Sequence, residues 1–380
     1  DMICSAELAT PEAVNKMISQ ARGLVCQPIA PEIAHRLDLP PQAPRNSESH
    51  GTAFTVSVDA AEGATTGISA ADRALTARLI ADPASQPEQL RRPGHIFPIV
   101  ARPGGVFERE GHTEASVDLM RLAGLEPTAL ICEVINEDGT LARSTELEAM
   151  SRERNMPLIT VKDIIAYRDA VGDFDLEASS PAKLPTPFGE FVMTVFRSRH
   201  GSPRELALLQ HPGSRENADD HEAPLIRLHS ECLTGEALHS TRCDCGAQLD
   251  EAMRRVSEEG GAVVYLRQEG RGIGLFEKIR AYTLQDHGSD TLDANLALGH
   301  DGDERRYGAA AALLKRVGLG RVRLLTNNPE KVASLELAGI EVVERLPIHV
   351  GQRRENRFYL QTKFERMGHF APARDGVGVS

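Results

Sequence analysis

The sequence predicts an α/β (α+β) protein made of two mixed-sheet α/β domains joined by a proline-rich linker. Three observations lead there. The chain has 380 residues, where a domain commonly takes roughly 150. Short β-branched runs alternate with stretches of helical periodicity along most of it. The alternation is interrupted once, by the small, polar run Ala-Ser-Ser-Pro-Ala-Lys-Leu-Pro-Thr-Pro at 178–187, and then restarts. The expected division is therefore a first domain over 1–177, a linker over 178–187, a second domain over 188–370 and a frayed tail over 371–380.

In chain order, strands are expected at 24–28, 53–59, 95–101 and 129–135, with helices at 11–22, 69–80, 113–125 and 144–155. Pro, Ser or Thr opens each helical stretch, as suits a helix start. The second half begins with strands at 190–196, 205–209 and 225–229. It continues as helix 247–258, strand 262–267, helices 275–285 and 306–317, strand 322–326, helix 329–338 and strand 341–345. The acidic, aperiodic segment 211–224 reads as a surface loop.

Composition narrows the function. With 41% hydrophobic and 26% charged residues the chain is ordinary globular protein. A net charge of −12 argues against a nucleic-acid partner, which demands basic stripes, but leaves room for a phosphorylated small molecule in a local basic pocket. No apolar run approaches the roughly 20 residues of a membrane span, and no basic and then apolar leader opens the chain, so a cytoplasmic protein is expected. Six cysteines are too few for a disulfide framework.

Three of those cysteines, Cys232, Cys243 and Cys245, are spaced as Cys-x10-Cys-x-Cys in a polar setting with Asp244 and Gly246. Thiolates prefer a soft or borderline ion. Three protein ligands leave one tetrahedral position of zinc open to water, which favours hydrolysis. His229 or His239 could supply a fourth ligand and close the site, and spacing alone does not decide.

The run His-Ser-Glu-Cys-Leu-Thr-Gly at 229–235, followed by Arg-Cys-Asp-Cys-Gly at 242–246, resembles GTP cyclohydrolase II. The resemblance continues through Arg267-Gln-Glu-Gly-Arg-Gly-Ile-Gly, Lys278-Ile-Arg-Ala-Tyr282, Asp303-Glu-Arg305 and Leu325-Thr-Asn-Asn-Pro-Glu-Lys331, over about 185–368. It implies hydrolysis of GTP, with release of formate and pyrophosphate, to a diaminopyrimidinone ribosylamine 5′-phosphate, the entry to riboflavin synthesis. By resemblance Cys232, Cys243 and Cys245 hold one Zn2+, and Tyr282 stands beside the reacting base. Arg227, Leu228, His229, Ser230, Glu231, Gln248, Glu269, Gly270, Arg271, Thr291, Thr326 and Lys331 would contact GTP, with Mg2+ accompanying the triphosphate. Asp303 and Arg305 match a proton acceptor and a nucleophile, although a guanidinium with a pKa above about 12 suits a clamp on a phosphoryl transition state better.

Residues from 2 to about 170 resemble 3,4-dihydroxy-2-butanone 4-phosphate synthase. The motifs are Gly51-Thr-Ala-Phe-Thr-Val, Thr66-Gly-Ile-Ser-Ala-Ala-Asp-Arg73, Arg92-Pro-Gly-His95, Arg109-Glu-Gly-His112-Thr-Glu-Ala and Cys132-Glu133. The resemblance implies ribulose 5-phosphate as substrate, His112 as a Mg2+ ligand, Glu133 as a base, His95 as a catalytic aid and Arg109 with Thr113 as substrate contacts. The family's acidic loop, which gives a glutamate to magnesium, falls before Asp1-Met-Ile. The first domain is accordingly expected to be inactive in this chain. A protein active at both ends and a non-catalytic GTP-binding paralogue are the competing readings. Both families imply a homodimer.

Overall fold

The computed structural model describes residues 1–200, 205–211 and 223–370, so the expected loop at 211–224 and tail at 371–380 lie almost wholly outside the described residues. Two compact units emerge, Asp1–Ala166 with His200, and Tyr167–Arg199 with the segments that follow. No described helix is long and apolar enough to cross a membrane.

In chain order the first unit contains β1 (Met2–Ser5), α1 (Pro11–Lys16), β2 (Cys26–Ile29), α2 (Pro31–Arg36), β3 (Val58–Ala60), α3 (Ala70–Ala81), β4 (Leu90–Val100), α4 (His112–Leu122), β5 (Ala129–Cys132), α5 (Ser144–Arg154) and the start of α6 (Val161–Ala170). The strands form one mixed sheet in the order β1-β5-β2-β4-β3, with β2 and β4 parallel and the other neighbours antiparallel. One core gathers Val14 and Met17, Ala77 and Ile80 of α3, and Ile29, Ile96 and Leu130 of the sheet. A smaller cluster packs Val117 of α4 on Ala30 and Ala101. The helix expected at 11–22 stops as an α-helix at Lys16 and continues as a π turn over Met17–Ala21, ending at Arg22 with φ +69°. The strand expected at 53–59 survives as β3 and two single bridges, Pro41 to Thr55 and Phe54 to Ile99. Its pairing with β4 shifts register between Val58 and Asp59, where Gly94 passes so close that a Cβ would meet the Val58 carbonyl carbon at 2.0 Å.

The second unit continues with β6 (Leu176–Ala178), β7 (Ala182–Thr186), β8 (Gly189–Ser198), β9 (Leu206–Gln210), β10 (Leu225–Ser230), α7 (Leu233–Glu236), α8 (Cys245–Glu259), β11 (Gly261–Leu266), α9 (Gly274–Asp286), α10 (Thr291–Ala297), α11 (Gly308–Arg316), β12 (Arg321–Leu325), α12 (Pro329–Leu337), β13 (Glu341–Leu346) and α13 (Arg357–Met367). The proline-rich run at 178–187 is thus no linker. Its middle is β7, paired antiparallel with β8 from Ala182 opposite Met193 to Thr186 opposite Gly189. Three of its five residues, Ala182, Lys183 and Pro185, are exposed, which makes so short a strand read as a polar coil in sequence. The chain passes between units inside α6 instead.

The sheet order is β13-β12-β10-β11-β9-β8-β6, with β7 beside β8, and β13, β12, β10 and β11 run parallel. Side chains of β10 and β11 alternate between two cores. Ile226, Leu228, Ala262 and Val264 face α11 and α12, whereas Leu225 and Val263 face Ala252, Met253 and Val256 of α8. Burial on both faces explains why these strands read as nearly continuous apolar runs. After β10 the chain crosses to β11 on one side, and β12 then returns to its other side, so the carboxyl end of β10 is a topological switch point, where α/β sheets bind ligands.

Candidate functional site

Side chains with candidate chemistry gather at that switch point. Cys232 follows β10, Gln268 to Arg271 follow β11, and Thr326 follows β12. The Cys232, Cys243 and Cys245 sulfurs lie within 4.8 Å of one another, with Cys232 and Cys243 3.6 Å apart, and they are the group among the described residues able to hold a metal. Gly235 makes this convergence possible. A Cβ there would meet Cys243 Sγ at 2.7 Å and Cys232 Sγ at 3.2 Å. Cys245 opens α8, and Asp244 between the two thiols accepts from Gln248 Nε2 at 2.5 Å.

The thiols compete for charge. Hydrogen bonds from the Cys243 and Cys245 thiols, with the nearby Lys278 ammonium, hold Cys232 far below its ordinary value, and sharing with Cys232 pushes Cys243 up to about 11 and Cys245 well above normal. Three convergent sulfurs with one stabilised thiolate fit a thiophilic divalent ion. Among the described residues no fourth protein ligand joins them. His229 Nε2 lies 2.9 Å from Glu236 Oε1, and His239 is exposed in a left-handed turn at φ +52°.

Of the supporting residues, Glu269 was expected as a GTP contact, whereas Thr234, Glu236, Tyr265 and Lys278 were given no role by the sequence. Lys278 Nζ donates to Cys232 Sγ at 3.2 Å, Thr234 Oγ1 at 2.9 Å and Glu269 Oε1 at 2.7 Å. Although burial opposes its charge, the bond to Glu269 and the nearby anionic groups hold Lys278 above its usual value. Glu269 also accepts from Leu233 N at 2.6 Å, so it braces the thiol loop. Glu236 accepts from Cys232 N at 2.8 Å and Tyr265 OH at 2.6 Å. For Lys278 the sequence signal was its place in the Lys278 to Tyr282 motif, a spacing that puts both on one helix face.

A cleft of about 670 Å³ opens over the thiols, lined by Ser230, Glu231, Arg271, Tyr282, Thr291 and Arg305 among others. Tyr282 OH is 3.4 Å from Thr234 Oγ1, and burial raises its phenol. Burial likewise raises the Glu231 carboxyl. Ser230 Oγ accepts from Gln268 Nε2 at 2.9 Å. Gly270 and Arg271 form a left-handed pair at φ +63° and +62°, so the glycine-rich turn bends sharply before α9. Arg271 holds this uncommon conformation with its carbonyl accepting from Glu304 N at 2.9 Å.

A second cavity shares Ser230, Cys245 and Arg305 with the first and adds Arg227, His229, Gln248, Thr326 and Lys331. Arg227 donates to Leu325 O at 2.8 Å and Gln248 Oε1 at 2.6 Å, and Lys331 Nζ to Leu228 O at 2.7 Å. Both cations are buried. Desolvation, with Arg227 and Arg305 nearby, pulls Lys331 well below its ordinary value. Thr326 Oγ1 accepts from Asn328 N at 3.0 Å. Arg305 Nε donates to Asp303 Oδ1 at 2.8 Å, with a second contact from its Nη2 to Oδ2. Despite the cost of burial, this pairing holds the carboxyl low and the guanidinium high, as fixed charges.

In the first unit His95 Nδ1 lies 2.8 Å from Asp59 Oδ2, and Asp59 Oδ1 accepts from His95 N at 2.8 Å. Gly67 at φ +90° covers this pair, where a Cβ would meet Asp59 Oδ2 at 2.0 Å. Glu133 accepts from Leu24 N at 3.0 Å and acts electrostatically on His112, which starts α4 and lies 3.2 Å from Asp1 Oδ1. Arg109 is drawn onto buried Glu114 at 2.7 Å and also reaches Thr52 Oγ1 at 3.4 Å, while the neighbouring Thr113 is buried.

Residues 1–167 match the family 3,4-dihydroxy-2-butanone 4-phosphate synthase, and residues 177–347 match GTP cyclohydrolase II. A Porphyromonas gingivalis protein described as riboflavin biosynthesis protein RibBA is 48% identical over 371 residues, covering 97% of this chain and 90% of its own length. A protein of the same description from Bacillus mycoides is 47% identical over 373 residues, with 97% and 91% coverage. The solved structure of RibBX, a two-domain 3,4-dihydroxy-2-butanone 4-phosphate synthase from A. baumannii, is 30% identical, with a TM-score of 0.52, over 92% of this chain and 91% of that one.

Proposed function

Because the chain belongs to the RibBA family of riboflavin biosynthesis proteins, we propose that its second unit hydrolyses GTP to 2,5-diamino-6-ribosylamino-4(3H)-pyrimidinone 5′-phosphate, formate and pyrophosphate. The observation that carries this is the junction of two unlike half-sites, a three-thiol cluster and a buried cationic cavity, which share Cys245 and Arg305. Hydrolysis of a purine ring and displacement at a triphosphate require those two chemistries side by side. Cys232, Cys243 and Cys245 would hold a zinc ion, which would supply Lewis acidity for the hydrolysis.

The chain's own residues do the rest. Tyr282 donates a hydrogen bond, or passes a proton, toward the imidazole carbon side of guanine, from which formate leaves. Glu231 meets guanine donors, and Arg271 and Thr291 close the cleft around the nucleoside. Arg227, Arg305 and Lys331 hold the phosphates, with Mg2+ as their counter-ion. Arg305 acts as a fixed clamp: its proton is held by Asp303, and a charged guanidinium stabilises a phosphoryl transition state but does not attack it. Mass spectrometry of the GTP product, with a formate assay, tests the reading. A zinc-loaded chain that binds GTP and leaves it intact would be a nucleotide sensor, and would refute it.

For the first unit, the relatives favour activity at both ends over a silent domain. We assign it conversion of ribulose 5-phosphate to 3,4-dihydroxy-2-butanone 4-phosphate and formate, with His112 toward Mg2+, Glu133 as base, His95 oriented by Asp59, and Arg109 and Thr113 near the sugar phosphate. Ribulose 5-phosphate and magnesium without GTP should yield formate. The six unpaired cysteines suit a cytoplasmic setting. A homodimer is expected, to be read from sedimentation equilibrium.

A further inference from the structure

Helix α13 lies beyond residue 347, where the matched cyclohydrolase segment ends, yet it reaches the cationic cavity. Tyr359 and Lys363 line that cavity together with Arg227, Arg305 and Lys331, and His369 joins them just after the helix. Tyr359 also lines the cleft over the thiols. Its ring centroid lies 4.2 Å from Lys363 Nζ and 5.9 Å from the Arg271 guanidinium, so it neighbours two cations.

The helix is tied to both halves of the site. Lys363 Nζ is 3.2 Å from Oδ1 of Asp244, the residue between two of the clustered thiols. Arg366 pairs with Asp290 and, at 3.1 Å, with Asp293, which flank Thr291. Beyond the helix, Phe370 N donates to Asn327 O at 3.2 Å.

The cavity gathers more basic side chains than its carboxylates pair. Arg227, Arg305, Lys331 and Lys363 converge there, while Asp303 is taken by Arg305 and Asp244 is shared by Gln248 and Lys363. Among the described residues, Lys331 pairs with no carboxylate and the buried His369 Nε2 has no partner. Buried basic groups without carboxylate partners and an unmatched ring nitrogen are what a polyanion would satisfy. An ammonium has three donors, so Lys363 keeps Asp244 while turning another toward a phosphate.

We propose that α13 is a working wall of the nucleotide pocket, with Lys363 a further cation for the polyphosphate of the substrate. The proposal rests on the GTP reading above. It is tested by calorimetric titration of the zinc-loaded full chain and its Lys363→Gln variant with two probes, the α,β-methylene analogue of GTP and guanosine. The variant should bind the analogue about 10- to 100-fold more weakly, the loss expected for a charge-assisted hydrogen bond. Guanosine affinity and zinc content should stay unchanged, and Lys363→Arg should keep most of the analogue affinity. Unchanged analogue binding overturns the proposal, as does an equal loss for both probes or a loss of zinc, which would mark α13 as merely structural. A wild-type chain that binds neither probe overturns the GTP reading itself, and this proposal with it.

Discussion

Gly235 sits where any side chain would collide with two sulfurs, so Gly235→Ala tests how tightly the thiol cluster is fitted. We expect zinc affinity to fall about 10- to 100-fold, the usual cost of disturbing a ligand's support, as read by chelator competition. Cys243→Ser should abolish both bound zinc and formate release from GTP. Lys278 and Glu269 form a buried pair, and removing one partner strands the other's charge. Lys278→Met should therefore lower stability by about 3–5 kcal/mol in urea denaturation, and adding Glu269→Gln should recover part of that loss. The three thiols were legible because they lie within fourteen positions of one another. Lys278 and Glu236 were not, since their roles arise from contacts that only folding makes; Lys278 is 46 residues from Cys232.

At the scale of elements, α3 shows how a helix start serves a site. Ser69 Oγ caps it by accepting from Asp72 N at 3.0 Å. Asp72 reaches back to accept from Thr65 Oγ1 at 2.7 Å, Thr65 N at 3.0 Å and Gly67 N at 3.0 Å, fixing the loop that lies over His95. The bonds from Thr65 hold the Asp72 carboxyl below its ordinary value. A carboxyl depressed in the folded state stabilises fully above its unfolded value, about 3.9, and loses that contribution as pH falls through the folded one. Asp72→Asn should thus lower the melting temperature at pH 7, with a deficit that shrinks below about pH 4. The long periodic elements of the second unit were legible to within a few residues, as α8 and β11 show against 247–258 and 262–267. Short ones escaped: α2 has six residues and α10 seven, too few for a period to declare itself, and both open at a Pro or Thr that also suits a turn.

Across the whole molecule, each sheet closes its own core, and each set of candidate residues belongs to one unit. The two chemistries should then fail independently. Cys243→Ser should leave consumption of ribulose 5-phosphate intact, and Glu133→Gln should leave formate release from GTP intact, measured with one substrate at a time. Loss of both activities from either substitution would argue against separate sites. The two-part organisation was legible because the alternation of elements restarts. The boundary was misplaced because proline in a short exposed strand has the composition of a connector.

That misplaced segment has a consequence for how the protein behaves in a crowded solution. Together β6 and β7 cover one side of β8 and form the outermost described strands at that end of the sheet. An outer strand offers unpaired backbone groups to any other chain. Pro185 has no N–H to offer, and Lys183 adds an exposed charge, so β7 is a poor template for intermolecular pairing. The residues that disguise the strand as a connector are those that keep the sheet from growing past its own edge.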